Sequence, residues 1–199
     1  MPKIVDQIKR REKVAEACWR VIKHKGIEQA SVREIAREAG LSVGALRHYF
    51  SSQQELFIFS MELVTEKVGK RIEKLTFTGE PIADAIQILS QVMPVDAQRR
   101  LEMEAWYAFT SKALHDPDLQ AMSRKMYEDM YRGCRLVVDR LSAASDKVKR
   151  SETDHLYALV DGLAVHTILQ PELMTAQRAL TIVEHYLHAI HFPPKAARR

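Results

Sequence analysis

The sequence predicts an all-α protein of nine helices in two parts, a small N-terminal module and a larger C-terminal part. Apolar residues recur at intervals of three and four in nine segments, which is the spacing of one face of a helix. Capping residues precede several of these segments, and glycine or proline follows them. No segment shows the strict alternation of apolar and polar residues that is typical of a strand.

The first four helices have start and end signals in the sequence. Ser31 stands three residues before Glu34, which is the spacing of a capping box, and Ser52 repeats this spacing with Glu55. Gly26 follows the first helix and can adopt the left-handed conformation in which helices end. The four helices are predicted at about residues 14–25, 32–39, 43–50 and 52–78.

Five more helices are predicted in the C-terminal part, where prolines provide most of the start signals. The charged stretch 145–151 is predicted to be a link, and Pro193-Pro194 to close the last helix. The five helices are predicted at about residues 81–93, 96–115, 117–141, 153–169 and 171–192.

Positive charge is concentrated near the N-terminus. Residues 1–50 carry 11 lysines and arginines against 6 acidic residues, whereas residues 51–199 carry 19 against 20. This asymmetry predicts that the N-terminal part meets a polyanion, either nucleic acid or an anionic membrane. No apolar run approaches the roughly 20 residues that span a bilayer, and the first residues lack the apolar region of a signal peptide. We therefore expect a cytoplasmic protein.

Two short helices, 32–39 and 43–50, are joined through Gly40, Leu41 and Ser42, and have the size and turn of a DNA-reading helix-turn-helix. In the second helix Leu46 and Phe50 are expected to point inward. The opposite face is expected to carry Val43, Gly44, Arg47 and His48. Gly44 would let the backbone approach DNA closely, or it is a packing glycine.

The stretch SVREIAREAGLSVGALRHYFSSQQEL resembles the DNA-binding region of the tetracycline-repressor (TetR) family, and its HYF is most similar to the betaine-regulator (BetI) branch. The resemblance implies a homodimeric transcriptional repressor that binds a palindromic operator in double-stranded DNA. It implies release by a small-molecule effector, apolar or aromatic in character, with no enzymatic activity, cofactor or metal. DNA binding is assigned to residues 1–50, and effector binding and dimerisation to residues 51–199.

By position, the resemblance implies that nine residues contact DNA, and these are Ser31, Arg33, Ser42, Val43, Gly44, Ala45, Arg47, His48 and Tyr49. Arg47 stands where the family usually has an aromatic residue. An arginine can bond the O6 and N7 atoms of guanine bidentately, so a guanine preference is expected. Gln53 replaces the family's usual lysine, which removes one expected phosphate contact. The basic residues that could replace this contact, or form a solvated tail, are Lys9, Arg10, Arg11 and Lys13.

Methionine and aromatic residues are concentrated between residues 93 and 131. Such residues either fill a core or line an apolar pocket. The predicted effector-binding residues are Met103, Trp106, Tyr107, Met122, Met126, Tyr127 and His155, with Glu102 and Glu104 as further polar anchors. The betaine branch also suggests a quaternary ammonium held by aromatic rings.

The last two helices are expected to form the dimer interface, because they have broad apolar faces. The predicted interface residues are Leu156, Val160, Gly162, Leu163, Leu180, Val183 and Leu187. Cys18 and Cys134 lie in apolar helical patterns and are predicted to be reduced packing residues.

Three other interpretations remain open from the sequence. Gly40-Leu-Ser-Val-Gly44 matches the nucleophile elbow of hydrolases, although that motif needs a strand before its serine. His185, His188 and His191 are spaced by three and could present imidazoles to a metal, although a polar helix face explains them more simply. A DNA-binding interaction module without an effector would use its methionines only as core.

Overall fold

The computed structural model describes residues 2–192, with side chains described from Gln7 onward. Within that range the chain forms nine α-helices and no strand, as the sequence predicts. Pro193 and Pro194 lie outside the described residues. The helices are α1 (Pro2–Lys25), α2 (Val32–Glu38), α3 (Val43–Arg47), α4 (Gln53–Glu73), α5 (Pro81–Leu89), α6 (Ala97–Ala113), α7 (Pro117–Leu141), α8 (Asp146–Leu169) and α9 (Ala176–His191).

Two helix starts near the C-terminus differ from the predicted ones. The charged stretch after Ser145 is the beginning of α8 rather than a link, and the Lys149 N–H donates to the Ser145 carbonyl at 2.9 Å. Charged residues on an exposed helix face do not interrupt a helix as glycine or proline does. The last helix starts after Thr175, whose hydroxyl accepts from the Arg178 N–H at 3.2 Å, and not at Pro171.

Two N-terminal helices also differ in extent from the predictions. α1 already begins at Pro2 and not near Val14, because the charged residues Lys9–Lys13 do not interrupt a helix as glycine or proline does. α3 ends at Arg47 instead of residue 50, and the Phe50 N–H still donates to the Leu46 carbonyl at 3.1 Å. His48 and Tyr49 therefore lie in the turn that follows α3.

The chain divides into two compact units. The first unit comprises the residues up to Gly69 together with Leu101–Arg124, and the second comprises Lys70–Arg100 and the residues from Lys125. These units describe compactness and not where DNA binding stops, so the functional boundary after residue 50 stays a prediction.

The first unit packs α1, α2, α3, α6 and most of α4 around a common core. Its largest fully buried side chains include Trp19, Ile35, Leu46, Phe50, Leu56, Met61 and Phe109. Salt bridges join α1 and the turn after it to α6, with Lys23 and Glu104 at 3.3 Å and Lys112 and Glu28 at 3.0 Å. The short helices that carry the candidate DNA-reading residues pack on this core through the buried Ile35 and Leu46.

The second unit is built from α5, α8, α9 and most of α7. Its core cluster includes Leu89, Met93, Val138, Leu156, Val160, Val183 and Leu187. The Arg100 guanidinium donates to the carbonyls of Thr167 and Ile168, at 3.1 and 3.0 Å, and so caps the end of α8.

Both cysteines are free and buried, as predicted. Burial raises the pKa of the Cys18 thiol to about 12 and that of Cys134 to about 12, so both stay protonated near neutral pH. No helix among the described residues is long and apolar enough to cross a membrane.

Candidate nucleic-acid interface and effector region

Two serine caps and one glycine build the turn between α2 and α3. The Ser31 hydroxyl accepts from the Glu34 N–H at 3.3 Å, and the Ser42 hydroxyl accepts from the Ala45 N–H at 3.1 Å. Gly40, between the two helices, has a φ of 68°, a left-handed conformation that favours glycine. The predicted helix-turn-helix is therefore present, and the serines fix where its helices begin.

The α3 helix has one buried and one exposed face, as the sequence predicts. Leu46 and Phe50 are 1% and 2% exposed and point into the core. The predicted DNA-binding residues of this region are exposed or half-buried, and they are Ser42, Val43, Gly44, Ala45, Arg47, His48 and Tyr49. The exposed face is short and carries one permanent charge, that of Arg47, which suits entry into a major groove.

Packing inside the protein does not require a glycine at position 44. A Cβ added there would meet only the Ser42 hydroxyl, at 3.9 Å, which is an ordinary van der Waals contact. Gly44 is also not among the described residues with positive φ. The packing interpretation of Gly44 thus finds no support, whereas a close approach of backbone to DNA would explain the missing side chain.

Two arginines of the helix-turn-helix are exposed and unpaired. Among the described residues, neither Arg33 nor Arg47 has a carboxylate within ion-pair distance. Nearby, Lys25 and Arg37 instead both pair with Glu34, and these two cations lower the pKa of Glu34 to about 2. Glu34 therefore does not complete the expected capping box, and the unneutralised positive charge lies at the start of α2 and on α3.

The basic residues at the beginning of the chain differ in their surroundings. Lys9 and Lys13 are exposed and have no ion-pair partner among the described residues. The Arg10 guanidinium lies 3.5 Å from the Tyr49 hydroxyl, so these two predicted DNA contacts are neighbours. The Arg11 guanidinium instead lies against two neighbouring aromatic rings, those of Phe50 and Phe59. Lys9, Arg10 and Lys13 thus remain candidates for phosphate contacts, whereas Arg11 is engaged within the protein.

Gln53 has a structural contact that the sequence does not reveal. Its side-chain amide donates to the Ala30 carbonyl at 2.9 Å, immediately before Ser31. The contact links the start of α4 to the start of α2. Sequence reasoning treated Gln53 only as the loss of a lysine, because no local signal pairs residues that lie this far apart.

The predicted effector residues are distributed over both compact units. In the first unit Met122 is buried, Met103 and Trp106 are half-buried, and Tyr107 is exposed. In the second unit Met126 is buried, whereas Tyr127 and His155 are exposed. Glu104, a suggested polar anchor, pairs with Lys23 within the first unit. Effector binding by these residues stays a prediction.

Tyr127 belongs to an aromatic cluster with Tyr131 and Tyr157, here called the tyrosine cluster. The Tyr127 and Tyr157 rings meet edge to face at 4.9 Å, and the Tyr127 and Tyr131 rings stack at 6.0 Å. The Tyr131 hydroxyl donates to Asp154 at 2.8 Å. Of the predicted effector residues, only Tyr127 lies in this cluster, and Tyr157 was missed because it comes from α8, far along the chain.

Asp161 is a half-buried carboxylate one turn beyond Tyr157. Burial raises the pKa of Asp161 above its usual range. Tyr157 lies four residues before Asp161 on α8, so the two side chains are neighbours on one helix face. Burial also raises the pKa of Tyr157, and the charge of Asp161 adds to that effect. Among the described residues, Asp161 has no hydrogen bond and no ion pair. Aromatic rings beside an unpaired carboxylate form surroundings that suit an organic cation.

The predicted dimer residues need a correction. Leu156, Val160 and Val183 are fully buried in the core of their own unit, and Leu163 and Leu187 are buried there too. They cannot also face a second copy. The apolar pattern shows that a helix face is covered, but not whether the same chain covers it. Of the predicted set, Gly162 and Leu180 are half-buried.

Neither the nucleophile elbow nor the histidine metal site forms among the described residues. Ser42 follows helix α2 rather than a strand, and its hydroxyl caps α3, so the nucleophile-elbow interpretation is wrong. The His191 Nδ1 lies 2.9 Å from the Leu141 carbonyl. Within the described range, no group of three or more potential ligands is placed to hold a metal ion.

Comparison with known protein families gives two matches along the chain. Residues 15–58 match the family described as "Bacterial regulatory proteins, tetR family". Residues 81–191 match the family described as "BetI-type transcriptional repressor, C-terminal". The first range includes the helix-turn-helix, and the second includes the tyrosine cluster.

Individual relatives extend this similarity over nearly the whole chain. The chain is 42% identical over 196 residues to the HTH-type transcriptional regulator PksA of Bacillus subtilis (strain 168), covering 96% of this chain and 94% of that protein. A transcriptional regulator from Rhodococcus sp. Rha1 matches with a TM-score of 0.80 and 29% identity, covering 90% of this chain and 95% of that one. A regulator from Saccharomonospora viridis, solved in complex with choline, shares the fold with a TM-score of 0.70 at 16% identity, covering 92% and 97%.

Proposed function

Since the chain belongs to the TetR family of transcriptional regulators, with a BetI-type C-terminal region, we propose that it is a ligand-responsive repressor. It binds a palindromic operator as a homodimer in the cytoplasm and leaves the DNA when a small molecule binds. The observation that carries the DNA-binding part is the exposed face of α3, where Arg47 has no ion-pair partner among the described residues and Gly44 exposes its backbone. Its family consists of regulators and not of enzymes.

The homodimer is supported by an apolar stripe on α8 that the second unit leaves uncovered. Ala158 and Leu169 are exposed, Leu169 by 58%, and Gly162 and Val165 are half-buried. The four positions follow helical spacing along one face. A Cβ at Gly162 would meet nothing within 4 Å, so the protomer itself does not need this glycine. A second copy of α8 that approaches closely would need it.

The effector is proposed to carry a positive charge on an apolar body. The tyrosine cluster offers ring faces and edges, and Asp161 supplies a half-buried carboxylate that no described residue neutralises. A cation there would compensate this charge, and cation–π attraction would add to the binding. The choline in the regulator from Saccharomonospora viridis is a precedent for such a ligand in this fold.

Release from DNA follows from a coupling free energy between the two sites. An effector that binds one dimer conformation more tightly shifts the population toward it. We propose that the favoured conformation holds the two reading helices at a spacing that no longer fits successive major grooves.

DNA binding is tested by selection from a pool of random duplexes, followed by measurement of affinity for the enriched and a scrambled sequence. The proposal predicts enrichment of a palindrome whose half-sites lie one helical turn apart, about 10 base pairs. Failure to enrich any sequence would remove the repressor assignment.

The effector class is tested by thermal shift with choline and with 3,3-dimethylbutan-1-ol, its uncharged carbon analogue. The proposal predicts a rise in the unfolding midpoint with the cation and a smaller one with the alcohol. Equal shifts would contradict a role for the Asp161 charge. A DNA-binding module without an effector would show no shift with any small molecule.

A further inference from the structure

Arg11, in α1, is engaged in an unusual set of contacts for an arginine near a DNA-binding surface. The centre of its guanidinium lies 4.5 Å from the ring centroid of Phe50 and 4.5 Å from that of Phe59. The two rings are 5.3 Å apart and tilted by 55°. The cation is therefore held by two aromatic rings, one directly after α3 and one in α4.

A carboxylate fixes the same guanidinium in place. The Arg11 Nη2 donates to Glu55 Oε1 at 3.3 Å. The other oxygen of Glu55, Oε2, accepts from the backbone N–H of Ser51 at 2.8 Å and from the Ser51 hydroxyl at 2.7 Å. These hydrogen bonds and the charge of Arg11 lower the pKa of Glu55, so it is ionised near neutral pH. Arg11 is thus joined through Glu55 to the turn that leaves the reading helix.

These contacts engage most of the Arg11 guanidinium and leave 31% of the side chain exposed. Its Nε is buried and has no hydrogen-bond partner among the described residues, Nη2 is used by Glu55, and the guanidinium lies against the rings of Phe50 and Phe59. Its charge is already compensated by a carboxylate at ion-pair distance. By contrast, Lys9 on the same helix is exposed and unpaired within the described range. Arg11 and Lys9 are therefore expected to act differently on DNA.

We propose that Arg11 is a positioning residue for DNA recognition, which fixes the end of the reading helix through Phe50 and Glu55 without contacting DNA. The link is short, because Phe50 follows Arg47 by three residues and anchors the turn that contains His48 and Tyr49. Loss of this contact lets the turn shift and misplaces the side chains that read bases. The proposal rests on the DNA-binding function proposed above.

The test uses the full-length protein, the duplex that the unaltered protein enriches from a random pool, and a scrambled duplex of the same composition. The variants are Arg11→Met, which keeps an apolar chain against the rings, and Arg11→Met combined with Glu55→Gln, which restores the net charge. The matched control is Lys9→Met, which removes the same charge from an exposed position of α1. Circular dichroism establishes that each variant is folded at the assay temperature.

Arg11→Met is expected to weaken binding to the enriched duplex by roughly tenfold or more, because part of a base contact in each half-site is lost. The affinity for the scrambled duplex stays within about twofold of that of the unaltered protein, and the slope of log affinity against log salt concentration is unchanged. The double variant shows the same loss, because restoring the charge does not restore the contact with the rings. Lys9→Met weakens binding to both duplexes alike and flattens the salt slope by about one unit per phosphate contact.

Four results would overturn the inference while leaving the proposed function intact. A flatter salt slope for Arg11→Met would show a phosphate contact, and recovery in the double variant would show a charge effect. Equally weakened binding to both duplexes at an unchanged salt slope, or unchanged binding to both, would show that Arg11 does not position the reading helix. If the unaltered protein enriches no sequence, the proposed function fails and the inference falls with it.

Discussion

Replacing Arg47 by alanine tests the assignment of α3 as the reading helix. Arg47 is the last residue of α3, is exposed, and has no carboxylate partner among the described residues. Its removal should therefore change the free energy of unfolding by no more than about 0.5 kcal/mol. A lost bidentate base contact costs roughly 1 to 3 kcal/mol in each half-site, and about twice that for a dimer on a palindrome, since separate positions add.

The matched control is Arg33→Ala, which removes the same group from an exposed position at the start of α2 that has no ion-pair partner in the described part of the chain. Because a phosphate contact carries no sequence information, Arg33→Ala should weaken binding to the enriched and the scrambled duplex alike and flatten the salt slope by about one unit. Arg47→Ala should lower the ratio of the two affinities and relax the preference at one position of each half-site. Fluorescence anisotropy at several salt concentrations separates the two signatures.

An unchanged affinity ratio in Arg47→Ala would refute the base-reading role. Specificity would then rest on the remaining exposed side chains of α3, Val43, Ala45 and His48, or on the shape of the DNA. A fall in the unfolding midpoint that accompanies equal loss of both affinities would instead indicate a folding defect.

Three further predictions follow from the second unit and from the core of the first. Gly162→Gln should shift the protein toward monomer in sedimentation equilibrium. Gly133→Gln, where a Cβ also meets open space, should leave the dimer intact. Equal behaviour of the two variants would contradict the α8 interface. Because burial raises the pKa of Asp161, its carboxylate becomes protonated as pH drops toward that raised pKa, and the affinity for choline should fall. Asp161→Asn should remove this pH dependence in calorimetric titrations. A pH-independent affinity in the unaltered protein would exclude Asp161 from the choline site. Leu46→Ala should lower the free energy of unfolding by about 2 to 5 kcal/mol in urea titrations, since Leu46 is fully buried, and a loss below about 1 kcal/mol would contradict that packing.

The parts of the fold that local chemistry determines were predictable from the sequence. Ser31 and Ser42 mark the starts of α2 and α3 because each hydroxyl satisfies a backbone N–H within three residues. α7 spans 117–141 as predicted, since its apolar spacing is unbroken. Pro171 was misleading, because proline permits a helix start but does not require one.

Contacts between distant segments were not predictable. The edge-to-face pair of Tyr127 and Tyr157 joins two helices, and the Arg11 contact with Phe59 joins two others. Periodicity also identifies an apolar face without saying what covers it. For this reason Leu156 and Val183 were expected at a dimer interface and instead lie in the core of the second unit.

The most direct test of the proposed function is whether effector and operator lower the protein's affinity for each other by the same factor. A ligand from the thermal-shift experiment is titrated into the protein with and without the enriched duplex, and the duplex is titrated with and without saturating ligand. A ligand-responsive repressor predicts that each weakens the other by an equal factor, about 5- to 150-fold. A ligand that raises the unfolding midpoint but leaves the affinity for the enriched duplex unchanged would contradict the proposal.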